Sequence, residues 1–412
     1  MVKMREYCKV FLLVIVLMLV FDNSFGQNSN TVIGKDNPNA ITSAATFLMI
    51  GPDSRAGGMG EAGVATSPGP NSMHWNPAKY AFIDGDMGIS ISYTPWLRNL
   101  GIYDINLAYI SGYKRIDDQQ VIGMSMVYFS LGEIIFTNDT GNEIAKKNPN
   151  EFAIDAAYSR AFSDRFSGSL AFRFIYSNIT GGAGAYVGGV ESHPGKAIGA
   201  DVSLFYMNPD LYLSGKNSTL SFGLNISNIG SKISYTSNAD KDFIPANLRL
   251  GGALKIDFDE HNSLAFATDL NKALVPTPPI YFMDSLDSQG NQVVEFGYDP
   301  NVSSTVALFR SFFDAPGVLN NDGSRNVAKE EFREIQYSIG MEYWYSNQFA
   351  IRGGYFHEHG TKGNRKFFTV GIGLKLNVFG LDFSYLIPVN QNNPLANTVR
   401  FSINFDMASL SN

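Results

Sequence analysis

From Met87 to Asp406 the chain alternates apolar and polar residues in fourteen stretches, at roughly 87–97, 101–114, 119–134, 151–163, 166–179, 196–209, 218–230, 246–259, 262–274, 333–346, 348–359, 364–377, 379–390 and 398–406. In the fifth, Phe166, Gly168, Leu170, Phe172, Phe174 and Tyr176 share one face, and Ser167, Ser169, Ala171, Arg173, Ile175 and Ser177 share the other. A strand reverses its side chains at every residue, so each stretch predicts one apolar and one polar face. That pattern alone also suits a sandwich with a wet outer face. The connections decide between the two. Those at 114–119, 163–165, 259–261, 346–347 and 377–379 are tight, with 209–217 read as longer. Those at 136–150, 180–195, 231–245 and 275–332 are long and rich in Gly, Pro, Asn and Ser. Short and long connections in alternation, an even strand count and both ends of the array on the short-turn side predict an all-β fold, a 14-stranded antiparallel transmembrane β-barrel with its long loops extracellular. Phe172 then faces lipid, and Arg173 faces a polar lumen where exchange for Gln is expected to be tolerated.

The segment before the barrel has a different texture. Lys3, Arg5 and Lys9 precede the apolar run 10–21, and Ser24 and Gly26 are small residues suited to cleavage, so 1–26 reads as a secretory signal peptide. The only cysteine, Cys8, lies inside it, which leaves no disulfide framework for the exported chain. Residues 27–86 are read as an N-terminal extension and lumen plug on the periplasmic side, 87–406 as the barrel, and 407–412 as a C-terminal tail. Without 1–26 the formal charge moves from −7 to −8, and no basic tract exists to neutralise a run of phosphates, which argues against nucleic acid as a partner. Aromatic residues make up 13% of the chain, and many stand near strand ends, where a membrane barrel carries its interfacial girdles.

Candidate chemistry changes this picture little. Gly58, Gly60 and Gly63 match GxGxxG, but a dinucleotide site needs a strand before and a helix after, whereas Pro52 precedes and Ser67-Pro68-Gly69-Pro70 follows. Glycines there suit close backbone contact with a barrel wall. His357 and His359 read as one strand face with Glu358 opposite, and are taken as surface residues rather than metal ligands. Asn320-Asn321-Asp322-Gly323 begins like a calcium loop, but Lys329 stands where the last acidic ligand belongs, so it reads as a turn. With five histidines and no spacing that assembles a nucleophile and base, no catalytic residue and no cofactor is assigned. The 275–332 connection is far longer than a hairpin requires, and unstructured loops of that size are commonly functional. Phe309, Phe312 and Phe313 within it form either an exposed partner site or a packed lid.

The run Phe47 to Ala65, containing Pro52, Asp53, Arg55, Gly58, Gly60 and Gly63, followed by His74-Trp75-Asn76-Pro77-Ala78, resembles the N-terminal signature of the PorV (LptO) family of the type IX secretion system. Fourteen strands and Asn76-Pro77-Ala78 also resemble the wider group of FadL-type outer-membrane transporters of hydrophobic molecules. The resemblance extends from about Ala44 to the C-terminus. It implies a non-enzymatic outer-membrane protein that binds the C-terminal domain of secreted cargo at the SprA/Sov translocon. Cargo then passes to a surface complex of the PorU sortase with PorQ and PorZ. The alternative implied by the wider group is transport of hydrophobic small molecules; an outer-membrane lipid hydrolase is a third class, without an identifiable nucleophile. One departure is that Phe405 is followed by Asp406 to Asn412 rather than ending the chain.

Overall fold

A computed structural model describes residues 38–406, apart from 138–139, 180, 182–185, 188–189, 237–240, 289 and 390–394. The segments read as signal peptide and C-terminal tail lie outside the described residues. The alternating stretches form β1 (Met87–Pro95), β2 (Ile105–Arg115), β3 (Gln120–Leu131), β4 (Asn150–Ser163), β5 (Phe166–Asn178), β6 (Gly195–Leu213), β7 (Lys216–Gly230), β8 (Asn247–Asp257), β9 (Asn262–Ala273), β10 (Gln336–Tyr345), β11 (Phe349–His357), β12 (Lys366–Leu376), β13 (Phe379–Pro388) and β14 (Val399–Asp406). Each pairs antiparallel with its sequence neighbours, and β14 returns to β1 through Gly88↔Asp406 to Tyr93↔Phe401, which closes the barrel.

One connection differs from its expectation. The 209–217 segment is not a longer loop: β6 runs to Leu213 and β7 starts at Lys216, with Ser214 and Gly215 both at positive φ, the geometry of a tight hairpin turn. Pro209 suggested a break. The register shift between Asn208 and Leu211 absorbs it instead, since a bulge spares the ladder a missing N–H.

Side chains sort by face as the period requires. On β5, Ser167, Ala171, Arg173 and Ser177 are buried inward, whereas Leu170 and Phe172 are 56% and 70% exposed outward. Ile91, Met124, Ile198, Phe222, Ile339 and Ile372 continue that exposed apolar surface around the wall. A soluble monomer does not carry an apolar surface of this extent, and a lipid-facing wall requires it.

The long connections carry structure of their own. The 275–332 segment, expected to be unstructured, contains a hairpin (Ile280–Leu286 with Gln292–Phe296), a helix Ser304–Arg310, a short ladder of Val318–Leu319 with Arg325–Asn326, and a helix Val327–Arg333. Local caps account for the helices. Ser303 Oγ accepts from Val306 N at 3.4 Å, and Asn326 Oδ1 accepts from Lys329 N at 2.9 Å. Asn320 to Gly323 forms the turn of the short ladder, with Ser324 N donating to Asp322 Oδ1.

Candidate functional site: the filled lumen and its lid

Residues 45–86, before β1, lie against the inward faces of strands all around the closed wall. Towards the long-loop rim, Phe47 and Leu48 pack with Leu107, Tyr109, Phe129 and Ile175. Towards the short-turn rim, Met73, Tyr80 and Ile83 pack with Tyr113, Val121 and Ala157. The chain therefore runs the depth of the barrel rather than filling only its short-turn half, because it has an apolar cluster at each end to bury.

Between those clusters its hold on the wall is polar. Arg55 donates through Nε and Nη2 to Glu342 of β10 at 2.9 and 2.7 Å, and Glu342 also accepts from Arg352 of β11 at 2.8 Å. Arg352 continues to Asp382 of β13 at 2.6 Å. Asp269 of β9 accepts the backbone N–H groups of Gly63 and Val64 at 2.7 and 2.9 Å, and Arg400 of β14 reaches Glu61 at 2.7 Å. Asp53 caps the turn Ser54–Gly57 and accepts from Trp75 Nε1 at 2.5 Å. Asn76 spans plug and wall, donating to Val64 O and to Leu204 O of β6 while accepting from Ala78 N. Pro77 starts the turn that follows, and the carbonyls of Pro77 and Ala78 accept from Ser159 and Ser167 of the wall. Pro52 is buried beside Asp53.

The glycines serve contact rather than phosphate binding. Gly60 sits at φ 66°, and a Cβ there would stand 2.6 Å from Tyr355 N of β11. Gly58 faces Gly371 of β12 so closely that a Cβ on either would approach the other's Cα to 3.1 Å. Gly63 turns its face to the Trp75 ring. A void lined by Met49, Glu61, Trp75, Arg249, Gln336 and Arg365 measures about 10 Å³, the space of a single water.

Two expectations about individual residues change. Arg173 does face the lumen, and it is tied into the wall there: it pairs with Asp155 at 2.5 Å and Asp201 at 3.2 Å and bonds Asn228, all buried, which argues against easy exchange for Gln. His357 and His359 do not share a strand face, because β11 ends at His357; Glu358 is buried on Arg365 and Gln336, and His359 bonds Thr361. The wall carboxylates and arginines were missed as a network. Their sole trace in the sequence is charge at inward positions of the alternation, and which ones meet depends on register.

At the long-loop rim lies the 275–335 segment, here termed the lid. Lys272 at the end of β9 binds Glu331 and Glu334 at 2.8 and 2.7 Å, and Lys362 from the β11–β12 loop binds Glu330 and Glu334 at 2.7 and 3.0 Å. Thr277 Oγ1 donates to Glu334 at 2.7 Å. Asp314, buried beside this cluster, has its carboxyl pushed up to about 6, chiefly by burial and further by the nearby Glu331 and Glu334, against hydrogen bonding from Thr277. The lid also leaves large apolar side chains open: Phe309, Phe312 and Phe313 are 71%, 47% and 56% exposed, the Phe312 ring centroid lying 5.8 Å from Lys272 Nζ. Phe332 and Met283, which sequence reasoning did not single out, are exposed too. Leu308, on the other side of the same helix, joins the apolar cluster of Ala246, Leu274 and Val275.

Fourteen closed antiparallel strands with an apolar outer belt and a charged, filled interior define an outer-membrane β-barrel. The sequence model of the family described as Type IX secretion system protein PorV matches residues 33–280, more than half of the chain, and the chain belongs to that family. It is accordingly an outer-membrane protein of type IX secretion. Among curated proteins none matches the chain. Solved structures similar to it include the Pseudomonas putida toluene transporter TodX (13% identity, 89% of this chain and 98% of that one, TM-score 0.46). The Ralstonia pickettii toluene transporter TbuX (12% identity, 86% and 96%, TM-score 0.42) and a Pseudomonas aeruginosa FadL homologue (12% identity, 90% and 99%, TM-score 0.40) are similar to it as well.

Proposed function

We propose that the protein is a non-enzymatic receptor with its long loops at the cell surface, and that it binds the C-terminal signal domain of secreted cargo at the SprA/Sov translocon. It then passes that cargo to the attachment complex of PorU, PorQ and PorZ. The observation that carries this reading is the lid, which leaves Phe309, Phe312 and Phe313 exposed on a segment anchored by buried ion pairs. Exposed aromatic clusters are where protein partners gain most of their binding energy. The alternative, transport of hydrophobic small molecules, asks for a path through a lumen whose plug is bonded to β9, β10 and β14, and the packing counts against it.

Replacing Phe309, Phe312 and Phe313 together by Ser tests the proposal. Because their rings are largely exposed, barrel abundance in the outer membrane is expected to stay near that of the unaltered protein, while cargo and translocon no longer co-purify and secreted proteins accumulate in the periplasm. Individual aromatic hot spots are worth about 2 kcal/mol or more, so the triple loss leaves little affinity. Normal secretion at normal barrel levels would falsify the assignment to the lid.

A further inference from the structure

Before it enters the lumen, the chain crosses the long-loop rim as an extended segment, and what holds it there is a groove made by three separate loops. Asn39 N donates to Thr361 O at 2.8 Å in the β11–β12 loop. Its side-chain amide donates to Pro278 O at 3.2 Å and Glu330 Oε1 at 3.0 Å, both from the lid. Two residues on, Ile41 packs against the buried apolar cluster of Ala246, Leu274 and Val275, which Phe243 and Leu308 also flank. Ala44 N then donates to Phe243 O at 2.9 Å in the β7–β8 loop. Pro38, Ala40 and Thr42 point to solvent, the alternation of an extended chain with one face seated.

We infer that this groove is a binding site for extended polypeptide, with one subsite for a side-chain amide and a second, two residues further on, for a branched aliphatic side chain. In the resting protein its own Asn39 to Ala44 fills it. The groove's complementarity is evident from its occupant: backbone N–H groups meet carbonyls, the amide meets a carboxylate and a carbonyl, and the aliphatic side chain meets apolar walls. The occupant is also weakly committed. Unlike the plug beyond it, which is buried and ion-paired, residues 38–43 belong to no helix or strand and leave every second side chain exposed. A segment arriving from another chain with the same spacing would displace it and would meet the lid helix Val327–Arg333 through Glu330. This rests on the proposed receptor function, of which it would be the peptide-holding part.

The test uses a fluorescent peptide of residues 37–44 as probe and purified full-length barrel in detergent. Asn39→Ala with Ile41→Ser vacates both subsites of the protein. That variant is expected to bind the probe about tenfold more tightly than the unaltered protein, because an occupied site answers only in proportion to its free fraction. A peptide carrying the same two substitutions is expected not to bind. A variant that keeps its heat-modifiable barrel mobility yet binds the probe no better than the unaltered protein, or binds both peptides alike, overturns the inference. Should the double variant not assemble, Ile41→Ser alone, which removes no hydrogen bond, gives the same two readings. Cargo co-purification by the unaltered protein is read separately: if it persists while the groove binds no peptide, the groove assignment falls and the receptor function stands.

Discussion

Plug and lid are both irregular chain laid against the same barrel, yet they handle polar and apolar atoms in opposite ways. The plug keeps Arg55 and Glu61 only partly exposed and gives each of them, and the Gly63–Val64 amides, a wall partner. The lid pairs its buried charges with Lys272 and Lys362 and leaves Phe309, Phe312 and Phe313 exposed. Buried ion pairs add little net stability, but losing one member is costly, so such a network holds a segment in one position. Aromatic rings left exposed contribute less to the fold than buried ones and are available to a partner. The difference is that polar bonds fix the plug to the wall, whereas the lid keeps aromatic surface uncovered.

The largest effect should come from breaking the plug's hold. Glu342→Ala removes the carboxylate that part-buried Arg55 shares with buried Arg352, leaving Arg352 with Asp382 alone, at a cost of up to about 3–5 kcal/mol. Outer-membrane levels and heat-modifiable mobility are expected to collapse, with Glu342→Gln retaining part of both. If Glu342→Ala assembles normally, the plug is not held as described.

Next in size is the wall. Phe172→Arg puts a cation on the lipid face at about 2–4 kcal/mol, and barrel abundance should drop accordingly. Arg173→Gln, one residue away, should now damage assembly comparably, since Asp155 and Asp201 lose a shared partner. Full tolerance at Arg173 would show that the interior network is dispensable.

How much of this could be read in the sequence follows from which physics is local. Period-two alternation and loop length are local, so the wall strands emerge nearly at their observed bounds, and the inward and outward sorting of Arg173 and Phe172 with them. Pro209 misled because a bulge is a property of the pair of strands, not of one. The 275–332 segment looked structureless because its helices are short and depend on caps at Ser303 and Asn326 together with anchorage by Lys272 and Lys362 from distant strands. The partners of Arg55 and Glu61 lie across the barrel, where only closure and register bring them near.

A smaller effect separates lid from plug by pH. The Asp314 carboxyl is raised to about 6 by burial, so the folded lid favours its protonated form. That stabilisation is fully present below the unfolded carboxylate range near 4 and is lost as pH rises through 6. Proteolysis of the lid, normalised to an unfolded peptide of the same sequence, should be about fourfold slower at pH 5.5 than at pH 7.5, and Asp314→Asn should remove the difference. Equal rates in the unaltered protein would remove Asp314 from the lid's anchorage.

Smallest of all is the expected effect of an epitope inserted at Gly290. It sits in the exposed tip of the lid hairpin, where an added side chain meets nothing within 4 Å. Barrel abundance should be unchanged and the tag accessible on intact cells, whereas a tag at Asp164 in the β4–β5 turn should be hidden. The reverse pattern would invert the proposed orientation.

The central claim, that partners meet the lid while the lumen stays closed, is tested most directly by photo-crosslinking in living cells. A photoreactive side chain at Phe309 on the lid is compared with one at Tyr80, which is fully buried in the plug. The account predicts adducts with secreted proteins or the translocon from Phe309 and none from Tyr80. Adducts from Tyr80, or a silent Phe309 in a cell that secretes normally, would contradict it.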